Sequence, residues 1–231
     1  MSSRLPEDLS MSFLGEKLKP SKSAKDLGVL LDPHLTYDHH ITSIVSSCFS
    51  KLSQINRVKK SFDKETLQLL IESVVFSKML YCSSVWSNTT AQNINKIQSI
   101  QSFTCKIITN SKKSDHVTPL LRHLNWLPVR EQLQYRDSIL AFKCINGTAP
   151  QYLTSKFKRR SKIHTRNTRN ANTLQIPLFR TAAGQRTFAY RGAKIWNNLN
   201  ADVRENTNLC SFKKTLKSQL LNSFLKESSI S

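Results

Sequence analysis

The sequence predicts a mainly α-helical protein with at most a few short strands. Three observations carry this. Glycine is scarce, with five among 231 residues. Long stretches rich in Leu, Ile, Lys and Gln favour helix over sheet. Within those stretches apolar residues recur every three or four positions, as one buried face of a helix requires. The 39% hydrophobic content is enough to build a real core.

Residues 1–24 are polar, Ser- and Lys-rich, and read as a loose lead-in. Lys25 to Asp32, "KDLGVLLD", is a short apolar run closed by Asp32-Pro33 and reads as a strand. Thr36 or Asp38 then caps a helix whose stripe is Ile41, Ile44, Val45, Cys48, Phe49, Leu52 and Ile55. It ends in "NRVKK", which sets Arg57, Lys59 and Lys60 at the negative end of the helix dipole. Asp63 caps a second helix carrying Leu67, Leu70, Ile71, Val74 and Val75 and running toward Leu80. "YCSSVW" reads as a turn. A third helix carries Ile94, Ile97, Ile100, Phe103, Thr104, Ile107 and Ile108 and stops at Asn110. Three such helices with short connections bury their apolar faces by packing on one another.

A short helix follows from Val117 to Leu124, and Pro128 breaks it. "VREQLQYRDSILAFKCI" is the next helix, closed by Asn146-Gly147 and barred from continuing by Pro150. "TLQIPLF", Thr173 to Phe179, reads as an edge strand because Pro177 lacks a donor. Helices near Thr187–Leu199 and through Leu209, Phe212, Leu216, Leu220, Leu221 and Phe224 close the chain.

Charge narrows the function. Lys and Arg total 35 against 15 Asp and Glu, a net charge of +20. A surface this basic points to a polyanionic partner, and RNA or DNA is the usual one. No stretch approaches the roughly 18 apolar residues that a membrane span needs. Nor does the N-terminus carry a continuous apolar h-region. Five scattered cysteines, with none within four residues of another, lack zinc or redox spacing and suit an intracellular compartment, nuclear or cytoplasmic. No membrane and no small-molecule substrate is expected.

Enzyme chemistry finds no complete set of residues. The glycines are too scattered for a phosphate-gripping loop. "HLTYDHH" offers His34, Asp38, His39 and His40 but has no second cluster to complete a metal site, so surface histidines at a helix start explain it. Two-metal nucleotidyl transfer needs paired acids, and there is no Asp-Asp in the chain.

The positive finding is basic. From Ser138 to Ala201 there is no Asp or Glu, while the same 64 residues carry 12 Lys and Arg. "KFKRRSKIHTRNTRN", Lys156 to Asn170, has no helical stripe and reads as an exposed or mobile basic loop. Candidate phosphate contacts there are Lys156, Lys158, Arg159, Arg160, Lys162, Arg166, Arg169, Arg180, Arg186 and Arg191. Arg57, Lys59, Lys60, Lys106, Lys112 and Lys113 join them from the helical part. Each contact releases a counterion, so binding of this kind is nonspecific and salt-sensitive. A helical protein–protein adaptor with a merely solvated basic face is the competing class.

Five ordered segments resemble the reverse transcriptases of non-LTR (LINE-type) retrotransposons. "KDLGVLLDPHLTYDHHI" is similar to the segment after the family's palm. "LLIESVVFSKMLYCSSVW" follows, with Lys78 where the family often has Pro or an apolar residue, and then "INKIQSIQSFTCKIIT", with Lys106 in an Arg position. "HVTPLLRHLNWLPVREQLQYRDSILAFKCINGTAPQYL" is the strongest match. "TFAYRGAKIWNNLNADVRENTNLCSFKKTLKSQLL" is the last, with Asn200 replacing Pro.

The resemblance spans about residues 24 to 222. It implies a palm-end strand and thumb-like bundle over 25–113, a helix–Pro corner–helix connector over 114–155, and a basic C-terminal helical region over 156–231. It implies that the palm, with its Asp pair and its Mg²⁺, belongs upstream of residue 1. No cofactor is then expected in this chain, no polymerisation by it alone, and a separate palm–fingers segment is a candidate partner. A domesticated or decayed transposon-derived protein is the alternative within that ancestry.

Overall fold

In a computed structural model, the chain is described over residues 11–18, 21, 23–162 and 173–227, and it is mainly α-helical. Two small antiparallel hairpins come first, β1 (Met11–Phe13) with β2 (Glu16–Leu18) and β3 (Ala24–Asp26) with β4 (Val29–Leu31). Both turn on Leu-Gly. Leu14 and Gly15 have φ of 51° and 85°, Leu27 and Gly28 of 43° and 88°. Two successive positive φ values are what the type I′ turn of a tight two-residue hairpin demands. The "KDLGVLLD" run is therefore a hairpin and not one strand, and part of the expected loose lead-in is a hairpin too.

Helix α1 (Asp38–Val58) is entered through a loop built on Asp32. The Asp32 carboxylate accepts from the backbone N–H of His34 at 3.0 Å, Thr36 at 3.1 Å and Tyr37 at 2.6 Å. That cradle, not a side-chain cap from Thr36 or Asp38, sets the helix start, with Tyr37 left-handed at φ 62°. Burial alone would raise the Asp32 pKa, but these N–H bonds outweigh it and hold the carboxyl below its ordinary value. A single 3₁₀ turn, Lys59–Ser61, follows α1.

Helix α2 (Lys64–Ile71) begins as predicted, with the Asp63 carboxylate accepting from Thr66 N–H at 2.7 Å. It passes through a π turn (Glu72–Phe76) into α3 (Ser77–Met79). The buried residues Leu67, Ile71, Val75 and Met79 explain the π turn. A stripe repeating every four residues drifts by about 40° per repeat on a 3.6-residue helix, and a wider turn absorbs the drift. Helix α4 (Ser83–Trp86) replaces the expected turn and seats Trp86 fully in the core. Thr90 caps α5 (Ala91–Thr109), and Asn110 ends it at φ 52°.

Asp38 meets Asn93 at the start of α1 and α5, and Lys59 meets Asn110 at their ends, so the two helices run parallel. The α2–α3 arm runs back against α1, with Cys48 facing Val75 and Lys51 facing Val74. Ile41, Leu52, Ile71, Trp86, Ile97 and Ile100 are among the buried residues of this first core. Fully burying such a side chain contributes about 1.5–3 kcal/mol.

Helix α6 (Val117–His123) leads to the corner at Trp126-Leu127-Pro128, and Pro128 opens α7 (Val129–Ile145). Trp126 packs on the first core against Phe76, with ring centroids 4.8 Å apart. Leu127 is buried in a second core with Phe142, Trp196, Phe212 and Leu216. Helix α7 faces both. Val129 and Leu133 join the first core, Ala141 and Phe142 the second.

The remainder wraps the second core with α8 (Gln151–Thr154), a 3₁₀ turn at Arg160–Lys162, α9 (Ala182–Gln185), α10 (Phe188–Asn197), α11 (Ala201–Arg204) and α12 (Leu209–Glu227). The expected strand at Thr173–Phe179 reduces to one antiparallel bridge between Arg159 and Leu174. The Asn197 side chain clamps it, accepting from Leu174 N–H at 2.8 Å and donating to its carbonyl at 2.9 Å.

Candidate nucleic-acid interface

The parallel course of α1 and α5 brings six sequence-predicted bases to one end of the first bundle. Arg57, Lys59 and Lys60 close α1, and Lys106, Lys112 and Lys113 close α5 and its loop. Lys59 Nζ donates to Asn110 Oδ1 at 3.0 Å, and Lys106 Nζ donates to the Lys113 carbonyl. Two helix C-termini expose carbonyls here, so part of this positive charge complements the helix dipoles.

The second predicted group lies on the C-terminal layer. Lys156, Lys158, Arg159 and Arg160 are exposed beside the Arg159–Leu174 bridge, and Arg180 is exposed before α9. The Lys162 side chain, Arg166 and Arg169 lie outside what is described. Two arginines of this group are engaged internally. Arg186 donates to the His34 carbonyl at 2.9 Å. Arg191 donates to Asp137 at 2.9 Å, to the Ser84 carbonyl at 2.7 Å and to the Arg186 carbonyl at 3.0 Å. Its guanidinium is thus occupied in fastening α10 to α4 and α7.

A cleft that the linear sequence did not single out is the better-formed site. It opens between the β3–β4 hairpin, α1 and the α2–α3 arm, with a volume of about 730 Å³. Lys25 from β3, Lys51 from α1 and Lys78 from α3 line it, together with His40 and Tyr81, and no carboxylate does. Lys51 donates to the Val74 carbonyl at 3.3 Å and Lys78 to Ser47 Oγ at 2.6 Å, which holds both stems in place. Tyr81 donates its hydroxyl to the Leu27 carbonyl at 3.0 Å and ties the hairpin to the arm.

His40 is buried rather than a surface histidine, at 5% exposure. Its Nδ1 accepts from Leu30 N–H at 3.4 Å, which leaves the proton on Nε2, and Nε2 has no partner among the described residues. Burial lowers its pKa and keeps the ring neutral. Three ammonium groups with hydroxyls and no acid form an environment suited to a phosphate-bearing ligand. On α1, Lys51 precedes Arg57 by about 9 Å along the axis at 1.5 Å per residue, so cleft and bundle end are neighbours.

Among the described residues, no group of three or more His, Cys, Asp or Glu converges as a metal site would. No described helix is long and apolar enough to cross a membrane.

No family model matches the chain, and no solved structure matches it. It is 28% identical over 138 residues to the probable RNA-directed DNA polymerase from transposon BS of Drosophila melanogaster, covering 58% of this chain and 15% of that protein. It is 27% identical over 119 residues to the probable RNA-directed DNA polymerase from transposon X-element of the same organism, covering 50% and 13% respectively. The chain therefore spans a small fraction of the length of these curated relatives.

Proposed function

We propose that this chain is the nucleic-acid-holding, thumb-like segment of a transposon-type RNA-directed DNA polymerase, and that it binds RNA or DNA template-primer without sequence preference. The carboxylate-free cleft lined by Lys25, Lys51 and Lys78 carries this reading. It offers fixed positive charge at the mouth of a rigid helical bundle, where a phosphodiester backbone gains from counterion release. The bases at the ends of α1 and α5 extend the same field. The likeness to two transposon polymerases supports the class of partner.

In this reading metal-dependent nucleotide addition belongs to a palm outside this segment, which itself retains and positions the duplex. The basic loop around Lys156–Arg160 supplies further nonspecific contacts. Titration of the purified chain with a labelled primer–template at two ionic strengths tests the proposal. Tight binding at low salt that weakens by orders of magnitude toward physiological salt is expected. Absence of binding at low salt would favour a protein–protein adaptor instead.

A further inference from the structure

A second basic seam lies away from the cleft, where α12 packs on α7. The Phe142 and Phe212 rings, 4.4 Å apart, set the start of α12 beside the end of α7. Phe224, near the other end of α12, packs on the first core that Val129 and Leu133 of α7 also join. The two helices are thus antiparallel, and they place like charges opposite one another. Lys143 and Lys213 line one cavity of about 400 Å³, with Tyr135 and Arg136. Arg136 and Lys217 line an adjoining cavity of about 490 Å³, which reaches Trp126. Gln132 and Arg136 are common to both, so the two form one furrow.

The spacing is regular. Arg136 and Lys143 are two turns apart on one face of α7, about 10.5 Å, and Lys213 and Lys217 are one turn apart on α12, about 6 Å. None of the three ammonium groups has a hydrogen-bond or ion-pair partner among the described residues, whereas Arg136 Nε donates to Ser83 Oγ at 2.9 Å. Among the described residues, the only carboxylate lining the furrow is that of Glu72, whose Oε1 already accepts from Trp126 Nε1 at 3.1 Å and Gln68 Nε2 at 2.9 Å. Facing like charges disfavour the free protein. An anion laid between them reverses the sign of that interaction.

We propose that this seam binds the phosphodiester backbone of a single nucleic-acid strand, with successive phosphates on the Lys143–Lys213 and Arg136–Lys217 rungs. The inference rests on the nucleic-acid reading above and adds a site to it. Packed helices lie about 8–10 Å apart, and cavities of this size match small-ligand pockets of roughly 300–1,000 Å³. One strand enters such a furrow and a duplex does not. Tyr135, half-buried at its edge, offers a ring on which a base stacks.

The test uses the full chain with a labelled oligothymidylate of about a dozen nucleotides and a duplex of equal length. Lys143→Gln with Lys213→Gln should weaken strand binding by about tenfold at low salt and lower the salt slope by about 1.4, two phosphates' worth. Duplex affinity should change far less, and the melting temperature should not fall. Lys143→Arg with Lys213→Arg should retain strand binding. Unchanged strand affinity and slope in the Gln variant would overturn the site, as would an equal loss on strand and duplex. Failure of the parent protein to bind either probe would instead overturn the underlying nucleic-acid reading.

Discussion

Arg191 Nε donates to Asp137 Oδ2 at 2.9 Å, and this ion pair fastens α10 to α7 beside the first bundle. Ser87 donates to the same oxygen at 2.9 Å, and the carboxylate is 3% exposed. The pair is therefore a structural rivet between the two helical layers. Removing one partner strands a buried charge, at a cost of about 3–5 kcal/mol. Asp137→Ala and Arg191→Leu should each lower the free energy of urea unfolding by that order. The double variant should lose less than the sum, and a double-mutant cycle measures the coupling.

Acid should weaken the fold in two windows. His40 is held neutral by burial, below its ordinary 6.5, so the unfolded chain takes up its proton first. Stability is then full above about pH 6.5 and declines as pH falls from there toward the folded value. Asp32 is also held below its ordinary 3.8, so its contribution persists above that value and is lost as pH falls through its folded pKa. Urea melts from pH 8 to 3 should show both declines, and His40→Gln should remove only the first.

Thiol reactivity should divide four of the five cysteines. Cys210 is exposed, whereas Cys48, Cys105 and Cys144 are buried. Burial raises all three buried thiols, Cys105 to about 12. An aromatic disulfide reagent should label Cys210 rapidly in the native protein. The three buried thiols should react only once urea unfolds the chain. Rapid native labelling of Cys105 would contradict the packing of α5 in the first core.

The helices were legible because their apolar spacing is a local property. Asp63, Asn110 and Pro128 mark their ends in the structure as in the sequence. The two hairpins were not legible, because Leu at positive φ is an unusual first turn residue and gives no Asn-Gly signal. The main cleft escaped a linear reading because Lys25, Lys51 and Lys78 are 26 and 27 residues apart and meet only after α1 and the α2–α3 arm pack. Arg191 shows the converse. It looked available inside a stretch without acids, yet its partner Asp137 is the residue immediately before that stretch begins. Tertiary pairing, not local charge density, decides which bases remain free for a ligand.

We propose that the Lys25–Lys51–Lys78 cleft grips a nucleic-acid backbone. Its most direct test compares the parent protein with Lys51→Gln plus Lys78→Gln, which keeps a donor at each position and removes two charges. Binding of a labelled primer–template duplex is measured across a salt series. Intact folding, affinity lowered by about tenfold at low salt, and a salt slope smaller by about 2 are expected. A folded double variant with the parent's affinity and slope would contradict it.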